Sequence, residues 1–212
     1  MSQTITRMQC GNDNCYLLAK GKNAVLIDTG REGYRKKVLA ECLPFDVRLI
    51  LLTHGHIDHV QNAAFLAGHL EAPIGMSRED LDLIKDNMAQ PLRSRGLLGK
   101  AVLAASLRSF RKDKIPPFTP TVFFKEGDTL EQYGVDASIV SLPGHTKGSI
   151  GIDAAGGFFI VGDALMNMVY PSLSMLYYDK EAMLRSAEKI SRLGERIIYF
   201  GHGKPMKNRK WK

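Results

Sequence analysis

Cysteine is scarce in this chain. Cys10, Cys15 and Cys42 are an odd three in 212 residues, with no CxxC spacing. That argues against a disulfide scaffold and reads as free thiols in a reducing compartment. Long apolar runs are missing too. The longest, over 49–53 and 158–161, are strand-length, far short of the ~20 residues of a membrane helix. Met1-Ser2-Gln3-Thr4 opens without a basic patch followed by an apolar stretch, so no secretory signal is expected, and the expected location is cytoplasmic. No low-complexity segment or short-period repeat is present, which argues against linkers and solenoids. Acidic residues are outnumbered 22 to 29, leaving a net charge of +7. The excess sits in two clusters: Arg93, Arg95, Lys100, Arg108, Arg111, Lys112 and Lys114, and the tail Lys204, Lys207, Arg209, Lys210 and Lys212. Neither shows the interleaved aromatics on which bases stack. They read as a solvated face and a solubilising tail, and no nucleic-acid partner is expected. The expected partner is a small-molecule substrate, and the composition permits a homo-oligomer.

What is present suits a globular fold. Hydrophobic residues make up 44%, and a chain of this length buries roughly 70% of its unfolded surface. We expect one domain over 1–212. Strands are expected over 14–20 and 24–28 around the Gly21-Lys22-Asn23 turn, then a helix over 33–42 and an apolar strand over 48–53. A His-rich loop leads into a helix over 60–70. In the middle, Ser77 reads as the cap of a helix reaching about Ala89, with Asp80 three residues on. A second helix over 97–110 ends at Ile115-Pro116-Pro117. The segment 77–117 is expected to form a helical, lid-like insertion or pocket wall. Strands follow over 121–124, 135–142, 149–153 and 158–161, then a helix over 180–193 and a last strand over 196–200. Strands and helices alternating twice over imply a layered α/β protein.

Five of the six histidines carry the chemistry. His54, His56 and His59 share one loop with Asp58, in the pattern HxHxDH directly after an apolar strand. Such a concentration of imidazole and carboxylate is costly to bury without a cation to satisfy it. His145, Asp163 and His202 each follow a further apolar strand, next to glycine. Sites in α/β proteins lie at such strand ends, where loops converge. Imidazole with carboxylate suits zinc, and also iron or manganese. His69, near the end of a helix, reads as structural, because cations suit that position.

HxHxDH followed by a separate His, Asp and His in that order resembles the metallo-β-lactamase superfamily, and the likeness runs from Asp28-Thr29-Gly30 to Gly201-His202-Gly203. The resemblance implies a four-layer αβ/βα sandwich, two mixed sheets inside and helices outside. It implies that His54, His56 and His145 hold one metal, that Asp58, His59 and His202 hold a second, and that Asp163 bridges them. Two zinc ions per chain are the expectation. Asp28 would orient the site without coordinating. Thr146 and Ser149 match the family's PGHTxGS segment and would lend hydrogen-bonding support.

Two cations sharing a water lower its pKa toward ~7 and make hydroxide available at neutral pH. The implied activity is hydrolysis of an ester, thioester or lactone, with Asp58 as a proton acceptor. Other branches fit less well. Flavodiiron members usually carry Glu where this chain has His56. The long nucleases and glyoxalase II enzymes carry added segments, and class B β-lactamases are normally secreted and mostly lack the Asp58–His59 pair. The alternative is a mononuclear non-haem iron oxidoreductase of the persulfide dioxygenase type. Tyr177 and Tyr178, between the Asp163 and His202 loops, are candidates for the substrate pocket. The basic rim of the insertion, with Arg108 and Arg111, is expected to favour an anionic or amphipathic substrate.

Overall fold

The computed structural model describes residues 2–212. In chain order the first half contains β1 (Gln3–Cys10), β2 (Asp13–Lys20), β3 (Asn23–Ile27), α1 (Arg35–Cys42), β4 (Asp46–Leu51), α2 (Ile57–Val60), α3 (Ala63–Leu70) and β5 (Ile74–Met76). Then come β6 (Arg93–Ser94), α4 (Gly96–Lys112), β7 (Val122–Phe123), β8 (Ala137–Ser141), β9 (Ile150–Ala154) and β10 (Phe158–Gly162). The last elements are β11 (Leu165–Met166), β12 (Ser172–Leu173), β13 (Leu176–Tyr177), α5 (Lys180–Ser191), β14 (Ile197–Phe200) and β15 (Met206–Lys207).

Two mixed sheets dominate. One runs β1-β2-β3-β4-β5-β7 and the other β15-β14-β10-β9-β8. In the first, β1, β2 and β3 pair antiparallel, and β3, β4, β5 and β7 pair parallel. In the second, β10 and β14 form the parallel pair.

Side-chain alternation along the strands creates the layers. Tyr16 and Leu18 of β2 and Leu49 and Leu51 of β4 face Ile139, Ile152 and Ile160 of the second sheet, in a core between the sheets. Their neighbours Leu17, Leu26 and Ile50 point the other way, onto Val38 of α1 and Leu66 of α3. In the second sheet Phe159 and Val161 turn from that central core toward Met183, Ala187 and Ile190 of α5. Helix, sheet, sheet and helix therefore stack as expected from the sequence. The strands are buried on both faces, which is why they read as nearly continuous apolar runs.

Two expectations need correction. The helix reaching about Ala89 does not form. Ser77 Oγ accepts the Glu79 amide, yet the cap opens only a short 3₁₀ turn over Arg78–Asp80. Asp80 is drawn inward as a buried hydrogen-bond acceptor, which diverts the backbone from a helical path. The edge strand β1 is an addition to the expected strands. Its residues are mostly half-buried or exposed, so it lacks the apolar signal of the inner strands. Among the described residues, no helix is long and apolar enough to cross a membrane.

Candidate metal centre

Each parallel strand delivers its following loop to the same end of the sandwich. The loop after β4 carries His54, His56, Asp58 and His59, the last two on the short helix α2. His145 lies between β8 and β9, Asp163 follows β10, and His202 follows β14. Donor atoms of His54, His56 and His145 lie within 4.8 Å of one another, as do those of Asp58, His59 and His202. Asp163 stands between the two groups. Its Oδ2 is 3.1 Å from His202 Nε2 and 3.6 Å from His145 Nε2, and its Oδ1 is 3.4 Å from His59 Nε2. All seven residues named from the sequence thus meet in one place.

Close approach depends on glycine at Gly201. A Cβ there would collide with the Asp163 carboxylate and come within 2.8 Å of the His59 ring.

The outward faces of the imidazoles are anchored. Nδ1 of His59 bonds Asp28 Oδ2 at 2.8 Å, Nδ1 of His145 bonds the Leu176 carbonyl at 2.9 Å, and Nδ1 of His202 bonds the Asn12 carbonyl at 3.0 Å. Anchoring one ring nitrogen fixes the tautomer and aims the other inward, the usual arrangement behind a metal ligand. Asp28 is held in turn, in the left-handed region at φ 59, by the Thr53 amide and hydroxyl, each at 2.8 Å. His56 is set differently. Its Nδ1 lies 2.9 Å from His145 Nε2, and its ring stacks on Phe110 of α4 with centroids 5.1 Å apart.

The charge pattern is that of a cation site. Burial pushes His54 well below the usual histidine range and His56 to about 3, so both rings stay neutral with lone pairs available. Burial raises Asp163, but the imidazoles of His202 and His59 outweigh it and hold the carboxyl well below the usual range. Nε2 of His54, His56 and His59 and Oδ1 of Asp163 are buried with no hydrogen-bond partner. Buried polar atoms are almost always paired, so unpartnered polar atoms gathered in one cluster fit divalent metal. Burial lowers His59 and His202, but the surrounding carboxylates outweigh it and raise both.

Three residues around the cluster carried no signal that singled them out in the sequence as site residues. Asp13 is buried, 3.3 Å from His202 Nδ1 and 3.4 Å from Arg31 Nε. Arg31 Nη2 also lies 3.9 Å from Asp58. Asp80 braces the ligand loops, accepting from the amides of Gly55 and Gly148 and the hydroxyl of Thr146. The Thr146 and Ser149 hydroxyls are 2.7 Å apart, completing the bracing expected of the PGHTxGS segment.

A cavity of about 430 Å³ opens over the cluster and is lined in part by His56, Asp58, Asp163 and His202. Leu176 lines it, whereas Tyr177 and Tyr178 do not. The pocket expectation for the two tyrosines is not met. Tyr177 packs against the α5 core, and Lys147 Nζ sits 5.2 Å from the Tyr178 ring centroid. Arg108 and Arg111 are exposed and lie outside the lining. His69 stands apart, exposed, bonded to the Phe65 carbonyl within its own helix.

Residues 8–202 match the family model described as Metallo-beta-lactamase superfamily. The chain belongs to that superfamily. Within it, the chain is 31% identical over 195 residues to hydroxyacylglutathione hydrolase GloC of Haemophilus influenzae, covering 90% of this chain and 85% of that protein. Among solved metallo-β-lactamase structures it is similar to the family protein TTHA1429 of Thermus thermophilus. The TM-score is 0.71 at 25% identity, over 97% of this chain and 75% of that one. It is also similar to TTHA1623 in a di-iron-bound form, with a TM-score of 0.68 at 26% identity, over 96% of this chain and 94% of the other. These likenesses establish the metallo-β-lactamase fold for this chain.

Proposed function

We propose that the chain is a binuclear metal-dependent hydrolase of thioesters, with related esters and lactones as further substrates. The observation that carries this reading is the convergence of seven donors whose buried inward atoms are left without protein partners. We assign His54, His56 and His145 to one metal and Asp58, His59 and His202 to the other, with Asp163 between them. Bound there, two divalent cations supply a water of lowered pKa and a Lewis acid for the carbonyl. Zinc suits the nitrogen-rich donor set, and iron, as in the di-iron-bound form of TTHA1623, suits it as well. The thioester class is supported by the named activity of the Haemophilus relative.

The protein's own groups have distinct tasks in this reading. Asp58 reaches the cavity and takes the proton given up by the attacking water. Asp28 and the Asn12 and Leu176 carbonyls keep the imidazoles aimed inward. Residues 77–117 act as one wall of the pocket within a single domain. The free, buried Cys10, Cys15 and Cys42 suit a reducing compartment, so the cytoplasm is taken as the place of action.

The test is elemental analysis of purified protein together with hydrolysis of S-lactoylglutathione, an aryl ester and a lactone. Two metals per chain and hydrolysis, both reduced in Asp58→Ala, are the expected result. One iron per chain with oxygen uptake on a persulfide would overturn it.

A further inference from the structure

The lining of the cavity over the metal cluster is uneven in character. Its polar part includes Asn12, Asp13 and Arg31. From α4 come Val102, Ala105, Ser106 and Phe110, which with Leu92, Met166 and Leu176 make a surface that is apolar apart from the Ser106 hydroxyl. Phe110 stacks on the His56 ring, 23° from parallel with centroids 5.1 Å apart. Among the described residues, Arg31 is the one Lys or Arg that lines the cavity. Its guanidinium is already engaged by Asp13, by Asp113 at 3.3 Å and by the Ser109 hydroxyl at 2.9 Å. The remaining basic residues of α4, including Arg108 and Arg111, lie outside the cavity lining.

We propose that the pocket beneath α4 takes an apolar acyl chain of the scissile thioester, with Phe110 as the wall that sets the preferred chain length. The proposal rests on the hydrolase reading above and goes further by naming which part of the substrate faces which wall. The scissile carbonyl belongs over the metal cluster. The thiol portion, with its amides and charges, then lies along Asn12, Asp13 and Arg31, where it keeps polar partners. A hydroxyl or carboxylate on the acyl side would lose water under α4, where the helix offers only the Ser106 hydroxyl in return. Each methylene placed there instead gains about threefold to fourfold in affinity. Met166, also in the lining, adds a flexible, polarisable surface suited to chains of differing shape.

The experiment uses the full, metal-loaded chain with acetyl-, lactoyl-, butanoyl-, hexanoyl- and octanoylglutathione. In parallel, S-methyl-, S-butyl-, S-hexyl- and S-octylglutathione, which cannot be hydrolysed, are titrated by calorimetry. The expected kcat/KM rises about threefold to fourfold per methylene from acetyl to a plateau, with lactoyl below butanoyl. Phe110→Ala moves the plateau to longer chains and Phe110→Trp moves it to shorter ones, with metal content measured in both and rates expressed per loaded site because Phe110 stacks on His56. A flat series, a preference for lactoyl, or a plateau indifferent to both substitutions overturns the proposal while leaving the hydrolase reading intact. If no acylglutathione is hydrolysed, the thioester reading fails, and the hydrolase reading fails with it if the aryl ester and the lactone are also left intact. The thioether titrations then decide separately, since affinity rising with chain length supports the apolar pocket and constant affinity overturns it.

Discussion

Asp28 and His59 are joined by a buried hydrogen bond of 2.8 Å, with the ring Nδ1–H donating to Asp28 Oδ2. The same carboxylate oxygen accepts the Thr53 hydroxyl, and the other accepts the Thr53 amide. Asp28 therefore links the end of β3 to the ligand loop after β4 while fixing the His59 tautomer. Asp28→Ala is expected to lower metal affinity about 10- to 100-fold. The loss should fall on the Asp58–His59–His202 group first. Competition with a chromogenic chelator would show a biphasic curve in which one metal weakens and the other does not.

Removal of metal should be felt by the whole fold. Chelation leaves Nε2 of three buried histidines and Oδ1 of Asp163 without partners. A ligand at 1,000 times its Kd stabilises the native state by about 4 kcal/mol. For a domain of this size that corresponds to roughly 10 °C in Tm. Calorimetric scans with and without EDTA should show that drop, reversed by added zinc.

Asp80 should matter for stability more than its distance from the cavity implies. Gly55, Gly148, Thr146 and Gln90 all donate to it. Burial nevertheless raises its carboxyl above the usual range, against the lowering effect of those bonds. In Asp80→Asn the new amide group would face donors on every side. A cost of about 2–4 kcal/mol is expected, measurable as a lower urea midpoint.

Asp13 gives the metal-free protein a characteristic pH dependence. Burial, aided by the nearby Asp58 carboxylate, lifts its carboxyl from 3.8 to about 6, against the pull of His202 and Arg31. The folded value lies above the unfolded one, so the folded state favours the protonated form. This group's contribution is fully present below about pH 4, shrinks as pH rises through about 6, and stays lower above. Asp13→Asn should remove that decline. Denaturant titrations of EDTA-treated protein between pH 4 and 8 would show a flatter stability profile in the variant.

The ligand loops were legible in the sequence because each follows an apolar strand buried on both faces, as β4 and β10 are. A layered α/β protein was legible for the same reason, whereas the four layers came from the resemblance to the metallo-β-lactamase superfamily. Residues whose importance comes only from convergence were not. Asp13 and Arg31 lie in ordinary polar turn stretches of the sequence and meet His202 and Asp58 only once the sheets have stacked. Asp80 follows a capping serine and so imitates a helix start, yet tertiary hydrogen bonds to Gly148 and Thr146 override that local preference. Tyr177 and Tyr178 lie in the right stretch of chain, but the cavity takes Leu176 from it, with Tyr177 packed on the α5 core and Tyr178 beside Lys147.

In the proposed assignment, the placement of the ligands makes the metal centre a rivet between the two sheets. The loop after β4 supplies four donors from the first sheet, and His145, Asp163 and His202 come from the second. Neither half of the chain holds a complete site, so occupancy measures how well the halves are seated on each other. A cavity far from the cluster, such as that left by Leu49→Ala in the core between the sheets, should therefore be detectable as faster metal loss under chelation. In this protein, the hold on metal becomes a gauge of the fold.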